Sequence, residues 1–428
     1  MKKILSLILA AVMVAGLMVG CGGKTDSTTP SGTGEAQKPA EGAEITMWTM
    51  WNAAEPQGIA LQAAADAFKA ETGNTVNIEW KGRELNKIIL AALEAGDNID
   101  VFEEDYTRIS STYDEYVMDL SEMAAAVNYE EHSYACLNNR VRDWTDGKLT
   151  SIVEQPSVGG VFYNKDAFAD AGIEKTPATW TEFLAACEAL KNAGYYPLAL
   201  DAAYADFTFG YHLARVIGED AAIDLTVNGG WSENEGAIKA ADQIIDFVKA
   251  GYLADGAPDQ YPASQNKMGN PVDGKKAAKV VCAQYVINEV DGAAVENVNW
   301  GMFNYPEVEG GVDPHNAFMG ANSLAIPAKS ENAQVAFDFI MYLTSGKIDQ
   351  DRAEAAKQIP ADSRNKAPSV LDGTVETLLS AEKPLKWAMG LNDNGELLTN
   401  IKDELTALYA GKYATGAEFV AAMDALYK

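Results

Sequence analysis

The sequence predicts an α/β protein of two lobes, and three observations carry that prediction. From residue 44 onward, segments with the two-residue period of strands alternate with segments of helical period. Residues 24–43, rich in Thr, Ser, Gly and Pro, separate that alternation from the chain's first residues. About 385 residues follow, more than one core usually holds, so two lobes are expected.

Lys2 and Lys3 precede Ile4 to Gly20, a run that is apolar or small except for Ser6. A basic start, a short apolar core and small residues at the cut describe a secretory signal over residues 1–20, not a spanning helix. Cys21, followed by Gly22 and Gly23, resembles the cysteine of a bacterial lipobox, which becomes the acylated first residue of a mature lipoprotein. The alternative is an ordinary signal peptide with an incidental cysteine. Residues 21–43 then read as a lipidated Cys21 and a flexible linker between lipid and domain. No second apolar run approaches the roughly 20 residues that span a bilayer.

Glu44 to Met50 is a buried-strand candidate, and Leu61, Ala64, Ala65 and Phe68 mark the apolar face of the helix after it. Thr75 to Trp80 alternates as a half-buried strand. A helical stretch runs from Leu85 to Leu93, and Asn98 to Phe102 reads as a third strand. Strand, helix, strand, helix, strand predicts a mainly parallel sheet covered by helices. Thr179 and Glu182 form a capping box for a helix bearing Trp180, Phe183, Leu184, Cys187 and Leu190 on one face. Val335, Ala336, Phe339, Ile340 and Leu343 form another stripe. Thr415 and Glu418 are placed to cap a last helix with Phe419, Met423 and Leu426. There is no internal repeat and no heptad pattern.

The formal charge is −29, and loss of residues 1–20 with their two lysines makes it −31. That balance argues against nucleic acid or an anionic membrane surface as partner, leaving the lipid as the expected membrane contact. Cys136, Cys187 and Cys282 are scattered without metal-type spacing, and Cys187 reads as a small buried hydrophobe. His132, His212 and His315 lie far apart, which excludes H-E-x-x-H and argues against a histidine metal site. Gly269 to Lys276 approaches a phosphate-binding loop, but Lys276 stands where Ser or Thr should hold Mg²⁺ and Pro271 removes a backbone donor. Asn392 to Gly395 has the look of a calcium loop, yet Ile401 falls where its last carboxylate is needed, so it reads as a turn. No G-x-S-x-G occurs, and no spacing singles out a carboxylate pair for glycoside hydrolysis. No cofactor is expected.

Gly160 to Ile173 (GVFYNKDAFADAGI) with Pro177 to Phe183 (PATWTEF) resembles the "YNKxxFxxxGi…P.TWxEf" block of family 1 extracellular solute-binding proteins, the sugar-capturing components of ABC importers. Phe68 to Val76, Asp100 to Phe102 and Gly320 to Ile326 resemble further family segments along the mature length. The resemblance implies a periplasmic-binding-protein-like fold of type II, two α/β lobes joined by hinge segments. It implies lobe one at 44–155 plus 313–346 and lobe two at 156–312 plus 347–428. It also implies a monomeric, non-catalytic receptor on the outer face of a membrane, in a Gram-positive bacterium, serving an ABC permease. The alternatives are a binding protein for a non-sugar solute and, from another class, a surface glycan hydrolase or lectin.

Ligands of open α/β sheets sit beyond the carboxyl ends of strands, and a sugar calls for flat aromatic faces with planar donors and acceptors. Strand ends then nominate Trp51, Asn52 and Glu55 after the first strand, Arg83 and Glu84 after the second, and Glu104, Asp105 and Tyr106 after the third. Lys279 to Tyr285 resembles the family's "aM…G.W" segment, which implies sugar stacking on Tyr285. Tyr204, Phe207, Asn322 and Trp387 are nominated by position. Trp48 and Trp180 are expected in the core.

Overall fold

The computed structural model describes residues 42–428; the expected signal, Cys21 and most of the linker lie outside them. Eight strands are present among these residues: β1 (Glu44–Thr49), β2 (Thr75–Trp80), β3 (Val101–Asp105), β4 (Ile152–Asn164), β5 (Lys279–Ala283), β6 (Trp300–Phe303), β7 (Ala317–Ala325) and β8 (Pro384–Leu385). Their order is β2-β1-β3-β7-β4-β5, with β6 also on β4 and β8 on β7.

Local chemistry explains the first elements. Pro56 opens the helix Pro56–Thr72, and Gly73 ends it in the left-handed region at φ 80°. Leu61, Ala64, Ala65 and Phe68 are its buried face, as their spacing requires. β3 starts three residues later than expected. The Asp100 carboxylate accepts the Thr46 N–H at 2.9 Å and the Ser330 hydroxyl at 2.6 Å, so at residue 100 a side chain takes one of the two bonds to β1 that a backbone carbonyl would make, the Asp100 N–H donating to the Thr46 carbonyl at 2.9 Å. The Thr179–Glu182 capping box forms in full, and Thr415 caps Gly416–Ala425.

The sheet is mixed, which corrects the expectation of a mainly parallel one. β1 pairs with β2 and β3 in parallel, but β3–β7, β4–β7, β4–β5 and β4–β6 are antiparallel. Strand–helix–strand crossovers build only the first three strands; later strands return over long connections. β4 is the structural pivot. Its first half, to Val158, pairs with β7, and its second half, from Gly159, pairs with β5 and β6. A bulge between Val153 and Gln155 sets the extra residue Glu154 facing inward, where it meets Arg352. The helix Gly346–Ala356, which carries Arg352, packs on Pro56–Thr72 and Ala333–Leu343.

Trp48 and Trp180 are buried, as are Cys136, Cys187 and Cys282, all three with free thiols. Residues 272 and 275 close a tight antiparallel turn, so Gly269–Lys276 is no strand-to-helix phosphate loop. Among the described residues no helix is long and apolar enough to cross a membrane, and no cluster of metal-binding side chains occurs.

Candidate functional site

The carboxyl ends of β1, β3 and β5 open on one cleft, where β4 and β7 cross. It has two chambers that share Asp105 and Ser157 as a common wall. The larger, about 460 Å³, runs past Tyr106, Arg140, Trp144 and Phe318 to Trp387. The smaller, about 250 Å³, lies between Trp51 and Tyr285, with Asn322 at its floor. Register brings these together: Asn322 on β7 stands opposite both Asp105 on β3 and Gln155 on β4.

Trp51 is held from two sides. Its indole Nε1 donates to the Glu103 carboxylate at 2.8 Å, and the Thr49 hydroxyl donates to the other oxygen of Glu103 at 2.6 Å. The Arg83 guanidinium lies 4.4 Å from the ring centroid, so stacking by a ligand must use the opposite face. Arg83 is itself fixed by the Met50 carbonyl at 2.6 Å and the Glu55 carboxylate at 3.2 Å, and Asn52 also donates to Glu55. Burial pushes the Glu103 carboxyl up to about 6, against the lowering effect of its bonds to Thr49 and Trp51 and of the Arg352 charge.

Trp387 sits in an aromatic nest. Phe207 stacks on it at 4.3 Å and 21°, while Phe318 and Tyr204 meet it edge-on at 5.3 and 6.3 Å. The chain leaves Trp387 through Ala388 and Met389, both at positive φ (49° and 52°), which is strained backbone for residues with a Cβ. Gly210 makes room for this turn: a Cβ there would stand 2.2 Å from the Ala388 carbonyl oxygen. Tyr285 is 37% exposed. Its hydroxyl faces Cys282 and Tyr204, and burial with these neighbours pushes the phenol above its usual range. An exposed ring suits stacking.

Of the nominated residues, Trp51, Asp105, Tyr106, Tyr285, Asn322 and Trp387 line the cleft. Asn52, Glu55 and Arg83 form the support of Trp51. Three nominated residues, Phe207, Glu104 and Tyr204, are buried and stand outside the cleft lining. Phe207 is fully buried behind Trp387. Glu104 is buried, accepting from Arg108 at 2.5 Å and from the Asp105 N–H at 2.8 Å. The period of two explains the second miss: Glu104 shares the face of Phe102, whereas Glu103 and Asp105 share the other. Tyr204 is buried and acts as a support between Trp387 and Tyr285. Asp105 caps the helix Tyr106–Thr112 by accepting the Thr107 and Arg108 N–H groups.

Sequence reading missed Arg140 and Trp144, which the helix Ala135–Trp144 brings to the larger chamber, and Gln358 at the smaller one. Arg140 donates to the Pro384 carbonyl at 2.8 Å. These residues follow no strand end, so the strand-end rule could not reach them.

Comparison with known proteins agrees with this architecture. The family described as "Bacterial extracellular solute-binding protein" matches residues 52–348. A galactooligosaccharide-binding protein of Bacillus subtilis is 23% identical over 372 residues, covering 84% of this chain and 81% of the relative. A diacetylchitobiose-binding protein, DasA, of Streptomyces coelicolor is 26% identical over 432 residues, covering 95% and 94%. Among solved structures, the bacterial solute receptor AcbH, which prefers β-D-galactopyranose, superimposes with a TM-score of 0.71 at 15% identity over 90% of this chain and 96% of its own. The fold is thus the two-lobe α/β fold of periplasmic binding proteins.

Proposed function

The chain belongs to the bacterial extracellular solute-binding protein family, and on that premise we propose that it captures a carbohydrate in its two-chambered cleft and delivers it to an ABC permease. The observation that carries this reading is the pairing of cleft-lining aromatic rings, Trp51 and Tyr285 in one chamber and Trp144 and Trp387 in the other, with planar polar groups at strand ends. Aromatic faces match the C–H faces of a sugar ring, and amide, guanidinium and carboxylate groups match its hydroxyls.

The chain acts as a receptor and not as an enzyme. Asp105 and Asp393 are the carboxylates on the larger chamber's wall, and each has a structural partner: Asp105 caps a helix, and Asp393 pairs with Lys386 at 3.0 Å. Cys21 carries the lipid anchor, and the protein works as a monomer at the outer face of a Gram-positive membrane. Lobe one takes residues 44–155 and 313–346, extended through Ser363 because Gly346–Ala356 packs on Pro56–Thr72 and the Ser363 N–H donates to the His132 carbonyl. The remainder forms lobe two, and β4 and β7 serve as the hinge strands on which the lobes close over sugar.

A thermal-shift screen against mono- and oligosaccharides tests the proposal. A ligand at one hundred times its Kd stabilises by about 2.7 kcal/mol, so a true ligand raises the melting temperature by several degrees. No shift with any saccharide, but a shift with a peptide or polyamine, would replace the carbohydrate with another solute. Release of reducing ends would replace the receptor with a hydrolase.

A further inference from the structure

β4 and β7 run as one ladder from Ile152 opposite Leu324 to Val158 opposite Met319. The same register would next set Gly159 opposite Phe318, but from Gly159 onward β4 pairs with β5 and then β6. At that level the Tyr211 hydroxyl donates to the Gly159 carbonyl at 2.6 Å and accepts the Phe318 N–H at 2.7 Å. One phenol oxygen thus stands between two backbone groups that a continuing ladder would join directly. It holds them farther apart than the ~2.9 Å of a direct backbone bond, so the strands part there.

The helix Ala205–Ile217 fixes this hydroxyl. Phe207, Tyr211 and Arg215 lie four residues apart on one face, and each meets the first residues of β7 or the backbone leading into it. The Phe207 ring packs edge-on against Phe318 at 5.6 Å, and Arg215 donates to the Asn316 and Asp313 carbonyls at 2.5 and 2.7 Å. Tyr305 stacks on the Tyr211 ring at 5.2 Å and 9°. β8 holds the same stretch, pairing Pro384 with Ala317 and Leu385 with Phe318. Gly159 leaves the space for this contact: a Cβ there would stand 2.6 Å from the Phe207 ring. β7 is therefore tied to the helix and β8 up to Phe318, and to β4 and β3 from Met319 on. Both strands change partners at the level of one buried hydroxyl.

We propose that Tyr211 is the positioning residue of the hinge: its hydroxyl, wedged into the end of the β4–β7 ladder, sets the angle at which the two strands part and with it the resting width of the cleft. This rests on the reading that the lobes close on β4 and β7, and it names the side chain that sets where they bend. Tyr211 is fully buried and lines neither chamber, so it acts on a ligand only through the strands. Phenylalanine can neither donate nor accept at this point, which frees the Gly159 carbonyl and the Phe318 N–H to bond each other and lengthen the ladder by one rung.

Spin labels on Ala91→Cys and Asp246→Cys, exposed positions on helices of opposite lobes, report the distance between the lobes by pulsed electron resonance. Cys136, Cys187 and Cys282 are buried, and a Cys21→Ser background leaves only the two introduced thiols to label. Tyr211→Phe is compared with Tyr305→Phe, which loses a buried hydroxyl bonded to His212 and none bonded to β4 or β7. Both variants keep their rings, and a modest fall in melting temperature is expected of both. In the sugar-free protein Tyr211→Phe is expected to shift the mean distance by at least about 2 Å, while Tyr305→Phe leaves it within about 0.5 Å. An unchanged distance in Tyr211→Phe makes its hydroxyl a structural bond only and overturns the proposal. An equal shift in Tyr305→Phe marks general loosening of the core and overturns it as well. The labelled wild type is also titrated with N,N′-diacetylchitobiose and a β-linked galactobiose. A distance that stays fixed while calorimetry shows one of them bound removes the hinge itself. A distance that shortens on binding but does not respond to Tyr211→Phe keeps the hinge and removes Tyr211 from it. If neither saccharide binds, the sugar-free comparison decides alone.

Discussion

Trp387 and Trp51 offer their rings to the same cleft but are held by opposite means. Trp387 is wedged among Phe207, Phe318 and Tyr204 and locked by a left-handed turn at Ala388 and Met389. Trp51 depends on charge: a bond to the buried Glu103, a guanidinium on one face, and the Glu55–Arg83 pair beneath. Packing is insensitive to salt and pH, whereas charged contacts at half-exposed positions are screened and titrate. One wall of the cleft should therefore be constant across conditions and the other adjustable.

The largest effects should follow from removing the rings themselves. Trp387→Ala and Trp51→Ala should each weaken sugar binding by about 2 kcal/mol or more, roughly thirtyfold, as read by calorimetry. Gly210→Ala comes next, because its new methyl would collide with the Ala388 carbonyl oxygen. It should lower stability by about 1–3 kcal/mol in a denaturant titration and loosen Trp387, while leaving the fluorescence environment of Trp51 unchanged. A Gly210→Ala protein with wild-type stability would mean that the turn yields without strain.

A smaller effect should appear only on the charged side. The folded-state pKa of Glu103 is raised from 4.5 to about 6, so the folded protein holds this proton more tightly than the unfolded chain. The stability it contributes is fully present below about 4.5 and is lost as pH rises through about 6. Thr49, Trp51, Arg352 and Glu104 are the groups that bear on this carboxyl. Glu103→Gln removes the titration, so the variant should gain on the wild type by on the order of 1–2 kcal/mol between those two pH values. Asp349, whose burial also pushes its carboxyl up to about 6, titrates in both proteins and cancels in the difference. A constant difference across that range would show that Glu103 stays ionised. Smallest of all, Arg83→Ala should cost binding about 0.5–1 kcal/mol and reduce its salt dependence, since a cation over an exposed ring is worth little more. The corresponding salt response should be missing from variants on the Trp387 side.

The same contrast governs how much of the molecule could be read from its sequence. Helix faces such as Val335 to Leu343, and caps such as Thr179 with Glu182, are local and periodic, and they stand where their spacing put them. The parallel start of the sheet was legible for the same reason. The antiparallel remainder was not, because pairing of β4 with β7, some 160 residues away, leaves no local pattern. Strand ends led to Trp51, Asp105 and Tyr285, which line the cleft. They also led to Glu104, which is buried against Arg108, and they could not nominate Trp144 or Gln358, which helices deliver from elsewhere in the chain. Alternation along Val101–Asp105 sets Glu103 on the face of Asp105, where it holds the Trp51 indole without lining the cleft itself.

If sugar is held between these two platforms, the double variant Trp51→Ala/Trp387→Ala should lose both of its stacking faces at once. Calorimetric titration should use the saccharide that most stabilises the wild type, with the melting temperature measured alongside. Binding is expected to weaken by about a thousandfold or more, close to the product of the two single effects, while the protein remains folded. Wild-type affinity in a folded double variant would contradict it, and would place the sugar somewhere other than this cleft.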